Sequence, residues 1–457
     1  MTSGQTQFDL IVIGSGAAGS ACWYAARQLG KSVAVFEAGA LGGECANFAC
    51  IPTKALLHAA EVYETARRAA RFGVDAKGLS FDYARVKAWK DEVIGETGAA
   101  LGTKPYDEAG VTLVQHRAVF TAPGEIEAGG ERYTADRFLI ATGARQAVPE
   151  IDGLADAGFL TFHDAVDLTA LPESFFILGG GPVGCEFAQL FSSFGSRVVL
   201  ADRNDVLIHG EDPEAGALIG RLFEERGVDV LVGASVLSVR LEGEQRRVLV
   251  ERDGKQQSYL VEQVLIASGK TPNSDIGLQA AGVSYDEDGI TVDAGMRTTN
   301  PDVYAAGDVA GPYRFTHAAS YQGQIAAANM FTDEHREADY RAMLRCVFTD
   351  PELGAVGLTE EQARERHVSL QIGRADLRDN DRGLTTGRRE GFVKVIADEE
   401  GTLLGGVMVG PRAGEVMHEL ALAITLGAKA ADVAGLVHAF PTFSEALGAA
   451  CAAVEPA

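Results

Sequence analysis

Basic residues are in short supply in this chain: 40 Lys and Arg stand against 64 Asp and Glu, a formal net charge of −24. That balance repels phosphate backbones and anionic lipid, so it argues against a nucleic-acid surface and against a basic membrane-binding face. Long apolar runs are missing as well. No uninterrupted stretch approaches the roughly 20 residues of a membrane span, so none is expected. The run Phe8-Asp9-Leu10-Ile11-Val12-Ile13 resembles a short secretory core, but no basic region precedes it and Gly14, Gly16 and Gly19 interrupt the chain directly after it. A cytoplasmic location is therefore expected. Cysteine is sparse: Cys22, Cys45, Cys50, Cys185, Cys346 and Cys451 in 457 residues make no secreted disulfide framework. A close pair in such a chain reads as catalytic or metal-binding instead.

Glycine is what the chain has in quantity. Its 54 glycines gather at the ends of apolar strands, the pattern of nucleotide-binding loops rather than of low-complexity linkers. A length of 457 residues is too great for one core and suits two or three domains, and 46% hydrophobic with 23% charged residues is a globular composition.

An internal repeat organises the chain. FDLIVIGSGAAGSACWYAARQLGKSVAVFEA recurs 165 residues later as SFFILGGGPVGCEFAQLFSSFGSRVVLADR, with Gly14, Gly16, Gly19 and Gly30 answered by Gly179, Gly181, Gly184 and Gly195. Each copy reads as strand, G-x-G-x-x-G turn, helix and second strand ending in an acid. From Gly14 to Glu37 and from Gly179 to Asp202 the separation is the same, 23 residues. The first glycine makes the tight turn, the second admits a pyrophosphate, and the third lets helix pack on strand. The helix N-terminus offers free amides to the phosphates, and the acid meets ribose hydroxyls. Two copies imply two dinucleotide cofactors, and FAD with NADH or NADPH is the commonest such pair.

Elsewhere, residues 53 to 72 and 82 to 101 read as helices, and 110–142 as strands and hairpins. Beyond residue 342 short β runs alternate with helices at 359–366 and 414–427, which predicts a separate α+β domain. Cys45 and Cys50 lie five apart at what reads as the start of a helix. A regular helix would put the sulfurs on different faces, and a distorted first turn would bring them together. Helix N-terminal amides favour a thiolate. A metal site and two unrelated buried cysteines are the competing readings, and no second Cys or His pair at suitable spacing supports the metal.

The segments IGSGAAGSACWYAA, GGECANFACIPTKAL, FLIATGA, GGGPVGCEFA, VLIASGKTPN, VYAAGDVAG and VFTDPELGAVGLTEEQA together resemble the class I pyridine nucleotide–disulfide oxidoreductases, over nearly the whole length. This family includes dihydrolipoamide dehydrogenase, glutathione reductase, mercuric reductase and soluble transhydrogenase. The resemblance implies an α/β protein with two Rossmann-like dinucleotide-binding domains, for FAD and NAD(P), and a C-terminal α+β dimerisation domain. Residues 1–150 and 274–341 would form the FAD-binding and central parts, 151–273 the NAD(P)-binding domain and 342–457 the dimerisation domain of a homodimer. Gly14, Gly16, Gly19 and Glu37 would hold the ADP half of FAD, with Gly43, Thr142, Gly143 and Asp308 at its remainder. Gly179, Gly181, Gly184, Asp202, Arg203 and Gly269 would serve NAD(P)H, with Asp202 favouring NADH. Cys50 would lie against the flavin, Cys45 would exchange with the acceptor, and Lys54 with Glu186 matches the ion pair beside the flavin.

One position departs from the family. The disulfide reductases carry a His before Pro-Thr near the C-terminus, paired with a Glu five residues on. Here Glu445 is present but Phe440 holds the base position, ahead of Pro441 in a peptide bond that is cis in relatives. Phenylalanine carries no proton, and a positioned acid–base group contributes ~10²–10⁴-fold. The expected small-molecule acceptor therefore needs little proton transfer from the protein: a small reactive disulfide, a quinone, a metal ion or another pyridine nucleotide. The alternatives are a dihydrolipoamide dehydrogenase with a substituted base and a non-catalytic redox-sensing flavoprotein. His438, two residues before Phe440, reads as structural, and Cys22, Cys185 and Cys346 as core. The dimer would present Phe440 to Cys45 of the partner subunit.

Overall fold

A computed structural model describes residues 6–366 and 369–456, which gather into two compact units. The first comprises residues up to 55, 87–147 and 269–338, and the second comprises 56–86, 148–268 and 339 onward.

The first unit is built on the first repeat. The strand Gln7–Ile13 is apolar and buried almost throughout because it lies at the centre of a sheet covered on both faces. Parallel neighbours are Val33–Phe36 on one side and Glu131–Ile140 on the other, and Val33–Phe36 continues to Thr112–Val114. Glu131–Ile140 also takes Val303–Ala305 in parallel along its end and Glu125–Ala128 antiparallel along its start. The helix Ala17–Gln28 packs on the helix Thr316–Phe331 at very short range. A Cβ on Gly323 would stand 2.3 Å from the Ala18 carbonyl oxygen, so only small residues fit at this crossing. A two-stranded ribbon, Ala144–Gln146 with Lys270–Pro272, completes the unit.

The second unit holds the second repeat in a four-stranded parallel sheet, in the order Asp229–Leu231, Arg197–Ala201, Ser174–Leu178, Gln263–Ile266. Phe175 and Phe191 stack with ring centroids 4.0 Å apart beneath it, each buried to the extent that contributes about 1.5–3 kcal/mol. A three-stranded antiparallel sheet, Ala234–Glu242, Gln245–Arg252 and Lys255–Val261, shares its core. The C-terminal part is a six-stranded antiparallel sheet running from Leu344–Val347 to Glu455–Pro456, with the helices Ala413–Thr425 and Ser444–Ala452 laid on one apolar core.

The expected elements are recognisable with shifted ends. The helix expected at 53–72 is Cys50–Arg67 followed by a 3₁₀ turn at Ala69–Phe72, and that at 82–101 is Tyr83–Gly95 with a 3₁₀ turn beyond. One local reading is corrected. Cys45 and Cys50 do not open one helix: Cys45 sits in its own short helix, Gly43–Asn47, which ends at Phe48 with φ −135°, and Cys50 begins the next. Broken by those two residues, the backbone can turn both sulfurs to one side.

Candidate functional site

The two glycine turns match in what they forbid. Gly14 and Gly179 have φ of +108° and +113°, and a Cβ on them would strike the carbonyl oxygens of Ala141 at 2.2 Å and Ala267 at 2.4 Å. The third glycines back onto the first: a Cβ on Gly19 would lie 2.0 Å from the Gly14 oxygen, and one on Gly184 would lie 1.8 Å from the Gly179 oxygen. Both turns therefore fold tightly against the end of an adjacent parallel strand. The matching carbonyls belong to Ile140-Ala141-Thr142-Gly143 and Ile266-Ala267-Ser268-Gly269, so the repeat extends to a third strand end that lies beyond the two matching sequence stretches.

Each acid braces its turn. Glu37 Oε2 accepts from the Ser15 amide (2.8 Å) and hydroxyl (2.6 Å), and Oε1 from the Gly39 amide (2.8 Å). Asp202 Oδ2 accepts from the Gly180 amide (2.6 Å), and Oδ1 from the Asn204 amide and side chain (2.8 and 2.7 Å). A carboxylate has about four acceptor sites, so each retains capacity for a ribose hydroxyl. Arg203 beside Asp202 is exposed. Beside the first turn, Gly43 (φ +74°) approaches so closely that a Cβ on it would be 2.6 Å from the Gly16 Cα. Gly181 meets nothing within 4 Å. These are cradles that a side chain would fill, and they fit the pyrophosphates of FAD and of NAD(P)H. Thr142 and Gly143 are stitched to Asn273: the Thr142 hydroxyl donates to the Asn273 carbonyl at 2.8 Å, and the Asn273 amide donates to the Gly143 carbonyl at 3.0 Å. Gly269 has φ +111°.

The cysteine pair lies within the first unit. Both residues are thiols, partly buried and within hydrogen-bonding reach of one another. The Cys45 hydrogen bond, with the Thr316 hydroxyl at 3.5 Å and the charges of Lys54 and Lys270, outweighs burial and brings Cys50 down to about 6. The Cys45 thiol is held far above its ordinary value, first by its bond to Cys50 and then by burial. Lys54 is one helical turn beyond Cys50. Lys270 donates to Glu44 and, at 3.1 Å, to Asp308 Oδ2. Sequence reasoning missed Thr316, Lys270 and Glu44: Thr316 and Lys270 lie more than two hundred residues from Cys50 along the chain, whereas Lys270 in VLIASGKTPN and Glu44 in GGECANFACIPTKAL stood inside recognised segments without being singled out.

In the second unit Glu186 is buried at 4% exposure, and its Oε1 accepts from the Phe348 amide at 3.0 Å. Cys185 and Cys22 are fully buried, whereas Cys346 is only partly so. The peptide bond Phe440–Pro441 is cis, and Phe440 is 72% exposed. Among the described residues no hydrogen bond joins Glu445 to a histidine. Its carboxylate accepts from the Thr442 amide at 2.8 Å, while His438 is held by Glu419 at 2.9 Å and by the Leu436 carbonyl at 3.2 Å.

Comparison with known proteins decides the lineage. Residues 8–323 match the model of the pyridine nucleotide-disulphide oxidoreductases, and residues 343–451 match the dimerisation domain of the same proteins. The chain belongs to this family. A dihydrolipoyl dehydrogenase of Thermus scotoductus is 37% identical over 453 residues, covering 96% of each chain. A mercuric reductase of Streptomyces lividans is 37% identical over 457 residues, covering 98% of this chain and 96% of its own. Among solved structures, the HOCl-induced flavoprotein disulfide reductase RclA of Escherichia coli, as a Cu(II) complex, superposes with a TM-score of 0.86 at 26% identity, covering 98% of this chain and 99% of its own. This pyridine nucleotide-disulphide oxidoreductase is thus an FAD-dependent, NAD(P)H-linked enzyme with a family dimerisation domain, and no helix among the described residues is long and apolar enough to cross a membrane.

Proposed function

We propose that the enzyme passes electrons from NAD(P)H through FAD to Cys45 and Cys50, and on to an acceptor that requires no base from the protein. A soft metal ion such as Hg(II) or Cu(II) is the favoured class, ahead of a quinone or a small reactive disulfide. Phe440 carries this reading. An exposed phenyl ring stands where disulfide-exchanging relatives need an imidazole, and the two neighbouring groups that could substitute are already committed, Glu445 to the Thr442 amide and His438 to Glu419. A metal ion fits because its reduction asks the protein for thiolates rather than for proton transfer. The dithiol loses two electrons and two protons as its S–S bond forms; the electrons take Hg(II) to the metal or two Cu(II) to Cu(I), and the protons pass to solvent. The relatives named mercuric reductase, and the Cu(II) complex of RclA, support the same choice.

Bound FAD supplies the two-electron relay between nicotinamide hydride and the sulfurs. Gly14, Gly16, Gly19, Glu37, Gly43, Thr142, Gly143 and Asp308 would hold it. Gly179, Gly181, Gly184, Gly269 and Asp202, with Arg203 alongside, would hold the nicotinamide nucleotide. Lys54 would favour the Cys50 thiolate, and Glu186 would order the helix that begins at the second turn. A homodimer in the cytoplasm completes the reading. It is tested by an anaerobic panel in which NAD(P)H oxidation is followed with Hg(II), Cu(II), benzoquinone, oxidised glutathione and lipoamide. Turnover with Hg(II) or Cu(II) at least tenfold above lipoamide is expected, given the worth of the absent base. Lipoamide reduction as fast as that of the metal ions would instead make the enzyme a dihydrolipoamide dehydrogenase with its base elsewhere.

A further inference from the structure

We propose that Arg345 and Lys394, two cations of the C-terminal sheet, are positioning residues for the nicotinamide nucleotide. Through Glu211 and Asp212 they hold residues 203–212 as a strap closed over the second glycine turn. The inference rests on that turn being the coenzyme site. It goes beyond that assignment by making the dimerisation domain part of what shapes the site.

The strap follows directly on Asp202, and its inner side lies on the turn. The Ile208 amide donates to the Gly180 carbonyl at 2.7 Å, and a Cβ on Gly180 would stand 2.5 Å from Leu207 Cδ2. Leu207 thus fills the space left where Gly180 has no side chain. From the other side the helix Pro213–Glu225 closes on the strap, since a Cβ on Gly216 would meet the Leu207 carbonyl oxygen at 2.2 Å. Leu207 and Ile208 are buried, while His209 and Gly210 beyond them face solvent. Ile208 has φ +53°, in the left-handed region that a β-branched side chain disfavours. Such a conformation persists only where its surroundings hold it.

Two ion pairs supply that hold at the end of the strap. Arg345 donates to Glu211 through Nε at 2.6 Å and Nη2 at 2.9 Å, and both side chains are only 12% exposed. Its Nη1 donates to the Met343 and Gly357 carbonyls at 3.3 and 3.0 Å, so the planar fork is fixed on all sides. Next along the chain, Asp212 lies 2.6 Å from the Lys394 ammonium and accepts from the Glu214 amide at 2.9 Å, capping the helix that follows. Asp212 and Lys394 are buried, and Glu360 holds the ammonium from a further side at 3.3 Å. Arg345 belongs to the strand Leu344–Val347 and Lys394 to Phe392–Asp398, so consecutive acids of the strap are fastened to two strands of one sheet. Exposed ion pairs contribute little, but removing one member of a buried pair leaves the other charge uncompensated. Loss of either cation therefore drives its acid toward water and lifts the strap with it.

The test uses flavin-loaded enzyme as wild type, Arg345→Gln, Lys394→Met, Arg345→Lys and Glu211→Gln. Hydrogen exchange of the segment 203–212, followed by peptide mass without coenzyme, reads closure of the strap, and the strand Ser174–Leu178 is the control for the fold. Anaerobic flavin reduction against NADH concentration, with NADPH in parallel, separates coenzyme Kd from the limiting rate of hydride transfer. Arg345→Gln and Lys394→Met should speed exchange of the segment and raise Kd about tenfold, with the limiting rate within about twofold of wild type. Arg345→Lys, which keeps the charge and loses the fork, should fall between these and wild type. Glu211→Gln keeps an acceptor for Arg345, so it decides the matter where a lost cation costs the fold: a rise in its Kd supports the proposal and an unchanged one overturns it. Faster exchange with an unchanged Kd in Arg345→Gln and Lys394→Met would overturn it as well, leaving the strap a structural loop. So would exchange that stays at the wild-type rate in both. Gly184→Ala examines the underlying assignment separately: an unchanged coenzyme Kd there would remove the second turn as the coenzyme site, whatever the strap does.

Discussion

The two glycine turns share a backbone and differ in what they are fastened to. In the first, Ser15 stands between the glycines: its hydroxyl donates to Glu37 and accepts from the Gly42 amide at 3.1 Å, which ties the acid of the nucleotide turn to the segment that leads into the cysteines. In the second, Gly180 has no side chain at that place, and Asp202 turns to Asn204 in its own loop. The first copy is thus joined through side chains to a reactive centre, and the second to a local loop. The two turns share one backbone, and Ser15 links the first of them, through Glu37 and Gly42, to the segment that carries Cys45 and Cys50.

The largest effect that bears on this contrast comes from closing each cradle separately. Gly19→Ala puts a methyl against the Gly14 carbonyl, and Gly184→Ala does the same at Gly179. Overpacking of this kind costs about 1–3 kcal/mol, which, if borne by the bound state, is roughly 5- to 150-fold in affinity. Gly19→Ala should be purified with little flavin, measured by absorbance per chain. Gly184→Ala should stay yellow while its KM for NAD(P)H rises about tenfold or more. Equal flavin loss in both would end the assignment of different nucleotides to the two turns.

A smaller effect is expected at the cysteines that accompany only the first copy. Cys50→Ser should abolish the charge-transfer band of the reduced enzyme, and Cys45→Ser, which keeps a hydrogen-bond donor, should preserve it. In the folded protein Cys50 titrates at about 6, below its ordinary 9.0, so its thiolate persists above that value and is lost as pH falls through it. Because the bond from Cys45 is the largest influence lowering Cys50, Cys45→Ala should move the band's midpoint upward. A wild-type midpoint already at the ordinary 9.0 would mean that the surroundings of Cys50 do not act on it as described.

The smallest effect concerns the second acid. Asp202→Ala removes a charge that repels a 2′-phosphate, and with Arg203 exposed beside it the ratio of kcat/KM for NADH over NADPH should fall a few-fold, corresponding to about 1 kcal/mol. An unchanged ratio would show that coenzyme choice is made elsewhere.

The glycine turns could be read in the sequence because each is a local device: strand, turn and helix lie within about thirty residues, and the acid falls at a fixed distance. Most of the helix Cys50–Arg67, expected at 53–72, and the two strands Phe392–Asp398 and Leu403–Gly410 were legible for the same reason, from local pattern, whereas Glu352–Gly357 and Leu370–Asp376 were not read. What escaped was made by tertiary contact. Thr316 and Lys270 reach Cys50 across more than two hundred residues of chain, and no local pattern marks either as belonging to the pair. The separate helix around Cys45 depends on two residues, Phe48 and Ala49, whose identities do not specify a break. The partners of Glu445 and His438 were hidden because both residues are polar groups near a loop, and only the fold says that one takes a backbone amide and the other Glu419.

The buried carboxylate of Glu186 has a mechanical side. It rises from the helix that begins at the second glycine turn and grips the Phe348 amide, and one turn further along the same helix Gln189 grips the Asp350 amide at 2.6 Å. The two side chains form a rail from the helix of the second glycine turn to the end of the first strand of the C-terminal sheet. Any displacement of that helix would be carried to Phe348 and Asp350 through these two bonds. The exchange rates of these two amide protons would therefore report on an event at the second turn that touches neither residue.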